Sequence, residues 1–267
     1  MDASNKVWIV TGGASGLGLA VSRALAQKPG TSVAVFDLNQ ENGERVAGEL
    51  PDAKFFRCDV GYEDNVKEAL EGVRKQWKGK RWGGVVHCGG VGMAGKTVGN
   101  DGQPFSFDVF SEVHRINLLG SFLIASNVAA EIVAQNPPSK EGQGSAAPPG
   151  DKGVIILTSS VSATEGQMGQ VAYGSSKAAV EGLVLPMARD LARHGIRVMC
   201  IAPSLFATSM GKNTSDRVRA SLLKSTLYPP RFGEAPEFAS LALQIIENGY
   251  LNGGTIRIDG GSRMSKM

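Results

Sequence analysis

The sequence predicts an α/β protein in which a parallel sheet of seven strands carries helices on both faces. Three observations lead there. Short apolar runs of strand length alternate with amphipathic segments along the chain, the pattern of repeated strand, helix, strand units. Glycine supplies 35 of 267 residues while 42% of the chain is hydrophobic, so the glycines punctuate a folded chain and do not mark a disordered one. The first strand passes into the first helix through Thr11-Gly12-Gly13-Ala14-Ser15-Gly16-Leu17-Gly18, a junction with little side-chain bulk.

Residues 7–10 form a short apolar strand, and 17–26 repeat apolar residues at helical spacing, with Leu17, Val21, Ala24 and Leu25 on one face. A second strand over 32–36 is followed by Asp37 and a polar helix over 41–50. The third strand, 54–57, is followed by Asp59 and a helix over 64–77. The fourth strand is 84–87. Gly89-Gly90-Val91-Gly92 is then a loop, and 109–133 form a long apolar-rich helix that holds Asn117. Residues 136–151 contain Pro137, Pro138, Pro148 and Pro149 with several glycines, cannot hold a helix, and read as a flexible insertion loop. A fifth strand spans 153–158, a helix 173–193 and a sixth strand 197–202, ended by Pro203. Residues 204–230 have weak periodicity, with a short helix around 215–225, as expected of a segment that covers a substrate site. A helix over 236–247 is entered through proline, and 255–258 are the seventh strand. No repeat or linker divides the chain, so residues 1–267 are expected to form one doubly wound domain of the Rossmann type.

Composition narrows the function. Twenty-eight basic and 25 acidic residues give a formal net charge of +3, without long runs, so the sequence carries no nucleic-acid signal. Cys58, Cys88 and Cys200 lie far apart and match neither a disulfide framework nor metal spacing. Three scattered histidines give no ligand cluster, and no metal is expected. No run of 18 apolar residues is present and the first strand begins near Val7, so neither membrane insertion nor secretion is expected.

The glycine junction points to a dinucleotide. Gly12 allows the tight turn, Gly16 lets the main chain approach a pyrophosphate, and Gly18 lets the helix pack closely, with the helix N-terminus facing the phosphates. Asp37 stands 19 residues after Gly18, where a carboxylate accepts from adenosine ribose hydroxyls and repels a 2′-phosphate. Neither Ala14 nor Ser15 is basic and Leu38 follows the acid, which selects NAD over NADP. Turn formation or helix capping is the other reading of Asp37. Asp59 either accepts from the adenine amino group or caps the next helix.

Ser160, Tyr173 and Lys177 supply the chemistry. Tyr173 and Lys177 are four residues apart and share a face if helical, placing an ammonium near a phenol. A cation there favours the phenolate and turns a poor base into a usable one. Ser160, at the end of the fifth strand, can hydrogen-bond an oxygen whose charge changes during hydride transfer. Asn117 either fills a core helix position or anchors a proton relay, since a polar amide among apolar residues needs a partner.

With these residues in view, the chain resembles the short-chain dehydrogenase/reductase family over essentially its full length. Within it the sequence is most similar to the type 2 3-hydroxyacyl-CoA dehydrogenases, also called 17β-hydroxysteroid dehydrogenase type 10. The closer likeness rests on Glu165-Gly166-Gln167, the run from Pro186 to Ala192, Ile201-Ala202-Pro203 and Ile245-Ile246-Glu247-Asn248. The resemblance implies a catalytic tetrad of Asn117, Ser160, Tyr173 and Lys177. It implies an NAD site made by Gly12, Ser15, Gly16, Leu17, Gly18, Asp37, Leu38, Asp59, Val60, Cys88, Gly90, Tyr173, Lys177, Pro203, Phe206 and Thr208. Substrate would meet Ser160, Gln167 and Tyr173, although Gln167 has a turn role as its alternative. Lys177 would also bind the nicotinamide ribose. Two departures stand out: His87 replaces a sheet-stabilising asparagine and reads as structural, and Ser204 replaces a glycine after Pro203.

These residues lead to the expectation of an NAD-dependent oxidoreductase that interconverts a secondary alcohol and a ketone, with 3-hydroxyacyl-CoA and 3-oxoacyl-CoA as the pair. The alternatives are a steroid or secondary-metabolite ketone, or a structural nucleotide-binding subunit of a larger complex. Val91, Met93, Leu205, Phe206, Met210 and Leu222 are candidates for an apolar substrate wall. The family likeness further implies a homotetramer built on the two long helices, a role in fatty acid metabolism, and a mitochondrial or cytoplasmic location.

Overall fold

The computed structural model describes residues 1–137, 150–208, 223 and 225–263. Most of the expected short helix at 215–225 and of the insertion at 136–151, together with Met210 and Leu222, lies outside the described residues.

Seven parallel strands form one sheet: β1 Val7–Thr11, β2 Ser32–Asp37, β3 Ala53–Arg57, β4 Trp82–His87, β5 Gly153–Thr158, β6 Ile196–Pro203 and β7 Thr255–Ile258. Their order is β3-β2-β1-β4-β5-β6-β7, and every pairing is parallel. β1, β4, β5 and β6 are buried throughout, which is why they read as continuous apolar runs and not as alternating ones. The edge strands β3 and β7 are only partly buried and carry Lys54, Arg57 and Arg257, charges that discourage further pairing. The chain reverses its winding between β1 and β4, and the crevice at their carboxyl ends is where ligands bind in open sheets.

The helices are α1 Gly16–Ala26, α2 Gln40–Glu49, α3 Glu63–Gln76, α4 Phe107–His114, α5 Gly120–Gln135, α6 Val171–Ala192 and α7 Ala235–Glu247. They cover the two faces of the sheet with separate cores. Val85, Ile155 and Leu157 pack with Leu70, Ile124, Val128 and Val180 on one face. Trp8, Val86 and Ile156 pack with Val21, Leu25, Phe238 and Ile245 on the other. α7 begins with a reciprocal capping box between Glu234 and Glu237 and with the proline in its first turn that the sequence predicts.

One expected helix is different. The stretch Phe107–Gln135 is helical over 29 residues, but Arg115–Leu119 in its middle is a π-helical turn. Its apolar composition and its length would suit a membrane span, yet Ile124, Ala125, Val128 and Ile132 are fully buried in the sheet core. That packing accounts for the apolar composition. A π turn inserts one residue into the helical ladder and is frequent at functional sites, and this one holds Asn117.

Candidate active site

The β1–α1 turn is shaped by what its glycines leave out. Gly12 has φ +61°, and a Cβ on it would stand 3.1 Å from the main chain of Cys88, so the turn lies against the start of the loop after β4. A Cβ on Gly18 would stand 2.2 Å from the Gly12 carbonyl oxygen, so α1 packs onto its own turn only with glycine there. Asp37 closes the turn from β2: its carboxylate accepts from Ala14 N–H and Asn39 N–H, each at 3.1 Å. Across the groove, the Thr208 side chain would meet a Cβ on Gly16 at 3.4 Å. Ser15, Gly16 and Thr208 line a cavity of about 1140 Å³ that continues between α1, α2 and α7. These features fit a dinucleotide: an open main-chain cradle at a helix N-terminus, with an acid at the end of β2.

Other expected cofactor residues are placed less directly. Leu38 is 54% exposed beside Asp37, whereas Val60 is buried. Leu17 packs against the α1 side of the core. Pro203 is still part of β6, in register with Ile258. Phe206 is buried with its ring edge-on to Phe238, centroids 6.3 Å apart, and it also lines a small hollow with Ser204, Thr226 and Pro229. Asp59 does not cap α3, whose N-cap is Tyr62; its carboxylate accepts from Gly61 N–H at 2.9 Å and faces Arg115. Ser204, in place of glycine, ties the chain to β7 through Ile258 O and Asp259 O.

At the carboxyl ends of β4 and β5 the four tetrad positions come together. Lys177 is buried on α6, and its ammonium donates to the Thr158 carbonyl at 2.9 Å. Asn117 is fully buried and every one of its amide groups has a partner: Oδ1 accepts from Val91 N–H, while Nδ2 donates to Val91 O and to Ser176 Oγ, at 2.9, 2.9 and 3.0 Å. Its role is therefore more than core filling, because it fixes the β4–α4 loop over the crevice. Gly90 makes room for both groups; a Cβ there would stand 3.0 Å from Asn117 Oδ1 and 3.3 Å from Lys177 Nζ. Ser160 ends the fifth strand region and caps a short 3-10 turn over Val161–Ala163, with its hydroxyl accepting from Ser162 N–H at 3.2 Å.

Burial raises the Tyr173 pKa, opposed only by a hydrogen bond with Ser160. Lys177 lies 5.8 Å from the centre of the Tyr173 ring and is directed to a carbonyl, so the expected lowering by a neighbouring ammonium is not seen in this geometry. Burial also pushes Lys177 down to about 8, with Cys200 and Cys88 opposing. Tyr173 is thus set as a protonated acid. Lys177 is charged at neutral pH, but only by a modest margin.

His87 ends β4 and is buried, with Nδ1 2.7 Å from Thr11 Oγ1. Burial, then the charge of Lys177, pushes its pKa down to about 3, so it is neutral under ordinary conditions and bridges β1 to β4. The same burial holds the thiols of Cys58, Cys88 and Cys200 up at about 12, which makes them inert. Among the described residues no group of three or more His, Cys, Asp or Glu is placed to hold a metal.

Gln167 lies on the loop that follows the Val161–Ala163 turn. It lines a neighbouring hollow of about 570 Å³ with Ser162, Gln170 and Lys96. Its loop is fixed from β7, where Arg257 pairs with Glu165 at 2.7 Å. The Thr158 carbonyl and the Val91 main chain, which hold Lys177 and Asn117, have no sequence signal, since any residue offers those atoms.

The profile of a family described as short chain dehydrogenase matches residues 6–219. The chain is 42% identical over 260 residues to the 3-hydroxyacyl-CoA dehydrogenase type-2 of Bos taurus, covering 97% of this chain and 95% of that one. It is 43% identical over 262 residues to the protein of the same name from Drosophila melanogaster, covering 97% and 98%. An ipsdienol dehydrogenase of Ips pini is 35% identical, with 97% of each chain covered. The crystal structure of a 3-hydroxyacyl-CoA dehydrogenase type-2 from Mycobacterium avium superposes with a TM-score of 0.88 at 35% identity, over 98% of both chains.

Proposed function

The chain belongs to the short-chain dehydrogenase family, and from that premise we propose that it is an NAD-dependent oxidoreductase interconverting 3-hydroxyacyl-CoA and 3-oxoacyl-CoA. The observation that carries this reading is the convergence of Asn117, Ser160, Tyr173 and Lys177 at the sheet crevice, next to a glycine cradle closed by Asp37. Two full-length relatives named for this substrate class support the acyl-CoA assignment.

When bound, NAD supplies the hydride carrier. In reduction, Tyr173 donates its phenolic proton to the carbonyl oxygen while Ser160 holds that oxygen and stabilises its developing charge. The raised pKa of Tyr173 keeps this proton in place until substrate arrives. In oxidation Tyr173 must lose that proton first, and Lys177, 5.8 Å from the centre of its ring, is the cation that offsets the charge. Asn117 keeps the loop of Gly90 and Val91 clear of both side chains. Asp37 accepts from the ribose hydroxyls without leaving the turn it closes.

NADH oxidation with acetoacetyl-CoA, a panel of steroid ketones and a terpenoid ketone tests the substrate. Turnover of acetoacetyl-CoA that disappears in Tyr173→Phe supports the proposal. Turnover confined to steroid or terpenoid ketones transfers the same chemistry to the other substrate class, which the ipsdienol dehydrogenase likeness favours. Intact Ser160, Tyr173 and Lys177 weigh against a purely structural subunit.

A homotetramer acting in fatty acid metabolism completes the proposal. Phe107, Leu119, Phe122 and Leu185 are 77%, 52%, 50% and 45% exposed on the α4–α5 rod and on α6, and such apolar side chains suit a symmetric helix-to-helix interface. A mitochondrial or cytoplasmic setting goes with three unpaired cysteines.

A further inference from the structure

The π turn presents Arg115 to the loop after β3. Its guanidinium carbon lies 4.0 Å from the centre of the Tyr62 ring. Nε and Nη2 donate to Glu112 at 2.8 and 2.6 Å. Nη1 and Nη2 face the two oxygens of Asp59 at 3.4 and 3.5 Å. Gly61 permits this approach, since a Cβ there would stand 2.2 Å from Arg115 Nη1. The cation is therefore fixed by an aromatic face below it and a carboxylate behind it before it meets Asp59.

Asp59 is held from the protein side. Oδ1 accepts from Gly61 N–H at 2.9 Å and from Arg115, while Oδ2 faces Arg115 alone. A carboxylate has about four lone-pair directions, so acceptor capacity remains. The loop sits at the carboxyl edge next to β2, where Cys58 N–H donates to Asp37 O at 3.0 Å. A ligand whose ribose meets Asp37 thus has its base within reach of Asp59. The matching donor on that base is an exocyclic amino group.

We infer that Arg115 is a positioning residue of the adenine subsite: by orienting Asp59 across Gly61 it selects a 6-aminopurine dinucleotide over a 6-oxopurine one. This rests on the NAD reading above. A 6-oxopurine would bring a carbonyl oxygen against the Asp59 carboxylate and meet repulsion instead of an acceptor. The contacts from Arg115 to Asp59 are longer than good hydrogen bonds, so Arg115 acts through charge and orientation.

The test is binding and steady-state turnover with NADH and with reduced nicotinamide hypoxanthine dinucleotide, in wild type, Arg115→Met, Arg115→Lys and Gly61→Ala. Wild type is expected to prefer NADH. Arg115→Met should cut that preference by roughly five- to tenfold, the size of a partly lost charged hydrogen bond, with the loss in KM and Kd for NADH and not in kcat. Arg115→Lys should fall between. Gly61→Ala keeps the cation but drives it off Asp59, and should lower the preference as well. A role confined to folding would weaken both dinucleotides equally. An undiminished preference in the folded variants, or a larger one in Arg115→Met, overturns the inference. Wild type that binds neither dinucleotide removes the NAD reading itself, and the inference with it.

Discussion

The two ends of the crevice are built from different materials. At the β1–β3 end, the cradle is main chain: Gly12 and Gly18 remove side chains from the path, and Asp37 accepts from two backbone N–H groups. At the β4–β6 end, the tetrad is a set of polar side chains, of which Asn117, Ser160 and Lys177 are buried, and two are held from other elements, Lys177 by Thr158 and Asn117 by Val91 and Ser176. The first end depends on shape and on one carboxylate. The second depends on protonation states that burial has shifted. A change at the first end should alter binding or folding, while a change at the second should alter the chemical step.

The sharpest test of this division is Tyr173→Phe. Loss of the proton donor should lower kcat by roughly 10²- to 10⁴-fold with cofactor affinity little changed, read by stopped-flow NADH binding beside turnover. Parallel losses in both would merge the two ends. Gly18→Ala should do the reverse, because its Cβ would stand 2.2 Å from the Gly12 carbonyl oxygen. Its expected cost is about 2–3 kcal/mol of stability, measured by denaturant unfolding, together with weaker dinucleotide binding. Asp37→Ser should raise the NADP-to-NAD preference by roughly tenfold and also loosen NAD itself, since Ala14 N–H loses its acceptor. An unchanged preference would assign Asp37 to the turn alone.

The smallest effect concerns His87, whose pKa burial and then the Lys177 charge push from the ordinary 6.5 down to about 3 in the folded chain. Between those values the unfolded chain binds the extra proton, so stability falls as pH falls. The expected loss is about 1.5 kcal/mol from pH 6.5 to pH 5, and His87→Asn should flatten the melting curve over that window. An equally steep fall in the variant would assign the acid sensitivity elsewhere.

Much of the fold is legible because strands buried on both faces leave uninterrupted apolar runs; β5 and β7 have the bounds that the sequence predicts. β4 begins earlier than expected, at Trp82, since two glycines disguise its start. The π turn is not legible. Over five residues its apolar spacing differs too little from that of an α-helix. At the site, glycines and acids are recognisable because those positions admit few residue types. The orientation of Lys177 and the protonation of Tyr173 are not, because a carbonyl partner carries no side-chain signature and burial is a property of the whole assembly. Phe206 is read as a cofactor contact from the family likeness, and its packing edge-on to Phe238 of α7 has no signature in the sequence.

The π turn also gives the α4–α5 rod a fixed rotational offset. Each residue advances an α-helix by about 100°, so deleting one residue between Arg115 and Leu119 would swing the whole upstream segment about the rod axis relative to the downstream one. Ile124 and Val128 would stay seated while Arg115 was carried away from its loop. The extra residue is a spacer between two halves of one rod, and an insertion or deletion there would leave the buried stretch in place while costing the upstream segment its aim.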